Sequence, residues 1–179
     1  MEDMPADVDN AFIIAFWFED TALKDNEPLQ PQKMQRLLFI SQAYYAVINN
    51  GRKLMPAVFV ANELGPIEPN IFVAFSRGRP DVDIERDLPP DVEDYLLAIW
   101  RRFGHYSIDS LNELTKDSSA YKAALKRGGN AEMSLMEIEK SFLKPKDRLA
   151  AAKVLQPKVY RTQTGRSVHV KKWKPRKKT

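Results

Sequence analysis

PQKMQRLLFISQAYYAVINNG, residues 31–51, is the stretch from which the rest of the chain can be read. Met34, Leu37, Leu38, Tyr45 and Ile48 recur at helical spacing, and Ile40, Tyr44 and Val47 fill a second face. A helix that is apolar on two faces is covered on both, so the pattern predicts a helix at the centre of the core. Pro31 sits where a first turn tolerates a missing N–H, and Gly51 supplies the stop.

Downstream the pattern changes. AVFVA at 57–61 reads as a short extended segment, followed by ELGPIEP at 63–69. Pro66 and Pro69 each remove a backbone donor and turn the preceding residue out of the α region, so this loop is expected to follow a rigid, irregular path. Two meanings stand side by side: the loop only turns the chain, or it presents its backbone to a partner. On the second meaning Glu63, Gly65, Pro66 and Glu68 are the candidate partner-binding residues. Glu63 and Glu68 are either paired carboxylates facing one cleft or solvated loop charges, the commoner state of glutamate. IFVAFSRG at 71–78 resumes a short helix, closed by Gly78 and Pro80.

The remaining segments are helical. DVDNAFIIAFWFED at 7–20 predicts a buried first helix capped by Asp7 or Asp9. LPPDVEDYLLAIWRRFG at 88–104 is amphipathic, with Val92, Tyr95, Leu96, Ile99 and Phe103 on one stripe. Ser107 is expected to cap SIDSLNELT, and Asp117 or Ser118 to start AYKAALKR. Gly128-Gly129 reads as a flexible linker, and Ser134 with Glu137 has the spacing of a capping box. KDRLAAAKVLQ at 146–156 predicts a last helix after Pro145. KVYRTQTGRSVHVKKW then alternates around Thr164-Gly165 as a small hairpin. The fold class is therefore mainly α: a compact multi-helix domain over 1–156, with a short extended segment near 57–61. A basic appendage with a small β-hairpin follows at 157–179.

Composition narrows the function. Of 179 residues 44% are hydrophobic, enough for one core of this size. The net charge of +4 is unevenly split. Residues 1–143 carry −8 and residues 144–179 carry +12, so an acidic body bears a basic tail. With no cysteine and only His105 and His169, thiol chemistry is excluded and no metal or cofactor is expected. His105, in FGHYS, reads as a polar loop residue; as a general base it would need an oriented partner. No G-x-S-x-G, H-E-x-x-H or phosphate-loop motif is present, so no enzyme is expected. An acidic N-terminus and a longest apolar run of eight residues (11–18) predict a soluble, cytoplasmic protein without a membrane partner.

Three ordered stretches carry a family resemblance. KMQRLLFISQAYYAVINNGRKL at 33–54 and AVFVANELGPIEPNIF at 57–72 resemble the opening of the Panacea domain. Lys33, Gln35, Leu37, Leu38, Gln42 and Tyr45 match its first helix. Gly65, Pro66, Ile67 and Pro69 match its turn, with Leu64 in place of an aromatic. FGHYSIDSLNELTKDSSAY at 103–121 is similar to a third stretch of the family, with Phe103 for Tyr, Lys116 for His and Ala120-Tyr121 for Pro-Trp. The resemblance spans roughly residues 8–143. It implies a bacterial antitoxin of the SocA-like branch, which binds and neutralises a SocB-like toxin and delivers it as a proteolytic adaptor to ClpX of the ClpXP protease.

The tail, RSVHVKKWKPRKKT at 166–179, admits three readings. It is a solvated tail, an arm for nucleic acid, or a protease tether. For the arm, Trp173 among lysines suits backbone contact and base stacking. Against it, the acidic body offers no basic platform, and nucleic acid is not the expected partner. For the tether, Val168 and Val170 followed by Lys171, Lys172 and Trp173 are similar to the V-x-V-K peptides by which bacterial adaptors dock on ClpX, although nine residues follow Val170.

Overall fold

The computed structural model describes residues 5–143 together with the backbone of two short strands further on. The chain enters its core through α1 (Ala11–Lys24) and α2 (Pro31–Ile48). Asn10, not Asp7 or Asp9, caps α1: its side chain accepts from the Phe12 N–H at 2.9 Å. Asp7 is engaged elsewhere, accepting from the Tyr45 hydroxyl and pairing with Arg52. Burial and this carboxylate together push the Tyr45 hydroxyl well above its usual range. In α2 every residue from Lys33 to Ala46 is buried. The expected second apolar face is there, and the polar positions between the two faces are enclosed with it.

β1 (Phe59–Asn62) and β2 (Gly65–Ile67) form a tight antiparallel hairpin, Val60 opposite Ile67 and Asn62 opposite Gly65. The loop expected to be irregular is thus a turn plus a strand, because Pro66 stands opposite Ala61 at a point where no donor is missed. α3 (Pro69–Ala74) begins directly after it, with Pro69 in its first turn. α4 (Pro90–Phe103) buries Val92, Tyr95, Leu96, Ile99 and Phe103 as the stripe requires, and Trp100 with them. α5 (Ile108–Lys116) and α6 (Ser119–Arg127) are capped by Ser107 and Ser118.

Gly128-Gly129 is not a flexible linker. Gly128 (φ +145°) and Asn130 (φ +60°) turn the chain into β3 (Ala131–Met133), an edge strand that the sequence reading did not anticipate. It pairs antiparallel with β1, giving a three-stranded sheet of order β2-β1-β3. Three residues are too few for alternation to register in the sequence.

α7 (Leu135–Phe142) closes the domain against α2 and α6, and its capping box forms as the Ser134/Glu137 spacing requires. Like α7, the elements α1, α4, α5 and β2 pack directly against α2. Aromatic contacts tie these layers together. Phe39 of α2 meets Phe59 of β1 edge-on at 5.4 Å, and Tyr44 stacks on Phe103 of α4 at 5.6 Å. Phe142 of α7 sits edge-on to both Phe39 and Tyr44.

Further on, β4 (Val159–Arg161) and β5 (Ser167–His169) pair antiparallel, as the alternation there predicts. The expected turn at Thr164-Gly165, the helix at 146–156 and the domain boundary at 156 lie outside the described residues. Among the described residues there are seven helices, and none is long and apolar enough to cross a membrane.

The capping box yields a pH-dependent prediction. The Arg127 hydrogen bond, followed by the Ser134 backbone N–H, holds the Glu137 carboxyl below its ordinary 4.5. A carboxyl lowered in the folded state adds stability that is complete above 4.5 and is lost as pH falls through the folded value. Glu137→Gln is expected to lower Tm at neutral pH and to match wild type in acid. A Tm difference independent of pH in thermal melts would contradict this.

Candidate functional site

Arg36 is the least expected residue of the core. It lies on α2 with 0% of its surface exposed, and no carboxylate is among its hydrogen-bond partners. Nη1 donates to the Pro66 carbonyl at 2.7 Å, Nη2 to the Leu64 carbonyl, and Nε to Asn112 Oδ1 of α5 at 2.8 Å. Leu64 closes the turn and Pro66 lies in β2, and both carbonyls face outward toward Arg36. The planar guanidinium therefore spans the outer side of β2 as a neighbouring strand would. One position earlier, Gln35 Oε1 accepts the Glu68 N–H at 2.7 Å. Gln35 and Arg36 together close the edge of the sheet.

Burial pushes the Arg36 guanidinium down to about 10, which leaves it charged at neutral pH. Desolvating such an ion costs several kcal/mol, as an order of magnitude. Hydrogen bonds to a charged donor return about 1.5–3 kcal/mol each, so all three acceptors are needed to hold it inside.

The other side of the turn is fixed with equal care. Tyr121 of α6 donates its hydroxyl to the Asn62 carbonyl at 2.7 Å. Asn62 Oδ1 accepts the Leu64 N–H at 3.0 Å, and Asn62 Nδ2 donates to Asn130 Oδ1 at 3.0 Å. Burial raises the Tyr121 hydroxyl above its usual range, and nearby Arg36 acts in the opposite direction.

The four candidate residues of this loop separate into different roles. Glu68 is only 3% exposed, so it is not a solvated charge. It caps α3, accepting from the Ile71 N–H at 2.7 Å and from Asn70 at 3.1 Å. Glu63 is exposed at the turn, and the two glutamates do not form a carboxylate pair. Gly65 and Pro66 are buried beneath Arg36. What a partner can reach is Glu63 and Leu64, the latter 48% exposed.

His105 lies in the loop between α4 and α5, with its Nδ1 2.7 Å from Glu27 Oε1 and its ring open to solvent. Glu27 also faces Lys33 at 3.9 Å. The histidine does have an orienting carboxylate, and the pair sits on the surface. Among the described residues no three acids or histidines converge as a metal-binding group.

Of the tail candidates, Val168 lies in β5 opposite Tyr160. Val170, Lys171, Lys172 and Trp173 lie outside the described residues.

Arg36, Asn62, Asn112 and Tyr121 were missed by sequence reasoning. A signal for Arg36 was present: two apolar faces already cover most of the circumference of α2, which leaves no solvated strip for residues 35 and 36. Nothing in the sequence marks Asn112 or Tyr121, whose partners lie in elements distant in the chain, whereas Asn62 also forms a local Asx turn with the Leu64 N–H. No family model, curated protein or solved structure matches this chain.

Gly65 is the sharpest test of this arrangement. Its φ of +130° is one that side chains rarely adopt, and a Cβ there would lie 2.5 Å from Arg36 Cζ. Arg36 cannot swing aside, because all three of its bonds would break. Gly65→Val is expected to cost about 3 kcal/mol or more, measured by denaturant unfolding. A variant of unchanged stability would show that the guanidinium is not locked.

Proposed function

We propose that the chain is a protein-binding antitoxin of the Panacea, SocA-like kind. In this reading it neutralises a SocB-like toxin by direct contact and presents it to ClpX of the ClpXP protease. One observation carries the reading. The three stretches that resemble the family, 33–54, 57–72 and 103–121, meet at a single point. Arg36 of the first bonds Leu64 and Pro66 of the second and Asn112 of the third. Tyr121 of the third bonds back to Asn62 of the second. Contact among the three stretches supports the reading; of the bonded residues, Pro66 is the one that matches the family pattern, and the others lie beside matching positions. Gln35 and Gln42, both matches to the pattern, also bind backbone: Gln42 takes the Leu54 and Met55 N–H groups at 3.1 and 3.2 Å.

Toxin recognition is assigned to the helical body, whose charge of −8 steers a basic surface toward it. Protease contact is assigned to the tail, since an adaptor must hold cargo and protease at once. Co-expression with the protein encoded beside this gene tests the first assignment: rescue of growth is expected, and failure of rescue removes the antitoxin reading. A chain ending at Pro157 should still bind that protein, and loss of binding in a folded truncation would move cargo recognition to the appendage.

For the tail, Val168→Asp with Val170→Asp should stop toxin degradation while binding persists. Charge reversal from Lys174 to Lys178 should do less. Silent valine changes with effective lysine changes would leave a tail acting by charge alone. A nucleic-acid arm remains the alternative, favoured by the six Lys or Arg among residues 171–179. Steeply salt-dependent binding to random DNA would support it.

A further inference from the structure

We infer that the β1–β2 turn is a preorganised contact point. Leu64 is the anchor and Glu63 its charged flank, aimed at a protein partner with a shallow apolar socket and a basic rim. The inference rests on the protein-binding reading above and specifies where and with what chemistry that binding occurs. Six large apolar side chains are well exposed among the described residues: Leu23, Val58, Leu64, Val73, Leu125 and Met136. Single exposed apolar residues are ordinary and need no explanation. Leu64 differs in how it is held. Its N–H is taken by Asn62 Oδ1 and its carbonyl by Arg36 Nη2, so side chains grip both of its backbone groups.

Around it the restraint is complete. The preceding carbonyl at Asn62 is held by Tyr121, the Asn62 amide is tied to Asn130, and Gly65 follows with a left-handed φ. Elements α2, α5 and α6 and the start of β3 all contribute to fixing a two-residue tip. A buried ion is a costly way to finish a sheet edge, since an apolar contact of similar volume often serves stability as well. What the guanidinium adds is direction, because its fixed fork sets the two carbonyls and so the angle at which the Leu64 side chain leaves the surface. Binding energy concentrates in rigid, central anchors, and a tip ordered beforehand loses little freedom on association.

The partner's chemistry follows from the tip. Leucine calls for an apolar pocket. Glu63 beside it, on a body of charge −8, calls for lysine or arginine at the rim. Arg36 is a positioning residue here: it touches no partner and acts through Leu64.

The test uses the full chain and the purified protein encoded beside its gene, with affinity read by calorimetry and Tm by thermal melting. Leu64→Asp is expected to weaken binding at least 30-fold with Tm unchanged. Glu63→Lys is expected to weaken it 5- to 20-fold and to flatten its salt dependence. Asn130→Gly removes the side-chain tie to Asn62 and keeps the left-handed φ of this turn, and is expected to weaken binding several-fold with Tm little changed. Leu64→Asp binding within twofold of wild type would overturn the contact point while leaving the protein-binding reading intact. No binding by wild type would overturn that reading, and this inference with it.

Discussion

A positive charge with no carboxylate to answer it holds the centre of this domain. Arg36 lies inside on α2, and its three acceptors belong to the β1–β2 turn, β2 and α5. Remove those acceptors and an unpaired ion is left in the core; remove the ion and the outward carbonyls of Leu64 and Pro66 are left without donors. Each side is costly without the other, so the packing of α2 against the sheet and against α5 is set together. Gly65 belongs to the same constraint. Only a residue without Cβ lets the strand lie this close to the guanidinium.

The same logic extends along α2. Its interior polar residues do not form a network among themselves; they bind the backbone of segments that would otherwise lack partners. Gln35 serves Glu68 and Gln42 serves Leu54 and Met55; in the reverse sense, the buried Tyr95 hydroxyl of α4 donates to the Ser41 backbone carbonyl of α2. A short sheet and the loop before it can therefore be buried against a helix without orphaned donors or acceptors. At the opposite edge of the sheet Arg127 repeats the device on the surface, donating to the Glu132 carbonyl at 2.6 Å.

On α2, Gln35, Arg36 and Gln42 are engaged with backbone groups. Of the buried charged groups, Arg36 closes a strand edge, Glu68 caps α3 and Lys33 pairs with Glu27. What reaches the surface at this point is the shape of a turn, which suits recognition of a partner. Along the sequence the charge divides into −8 over residues 1–143 and +12 over residues 144–179, which fits the proposal of two different contacts.

By itself the sequence determined the helices and most of their caps. Those features are local: 3.6-residue periodicity in 31–51 and 88–104, and hydroxyl caps at Ser107, Ser118 and Ser134 within three residues of the N–H groups they serve. It also determined the extended segment near 57–61 and a special backbone at Gly65-Pro66. Tertiary structure decided the rest. Asn10 replaced Asp7 as a cap because Tyr45 and Arg52, distant in sequence, claimed that aspartate. Gly128-Gly129 became a turn because β1 offered an edge for residues 131–133 to pair with. Arg36 passed from a polar letter in a helix to the clamp of the sheet because its acceptors lie about 30 or more residues away. Glu68, by contrast, caps α3 through the nearby Ile71 N–H, and its backbone is held by Gln35, 33 residues away. Periodicity records which face of a helix is covered. It holds no record of what covers that face, and the partners of a buried polar group are fixed only when distant segments come together.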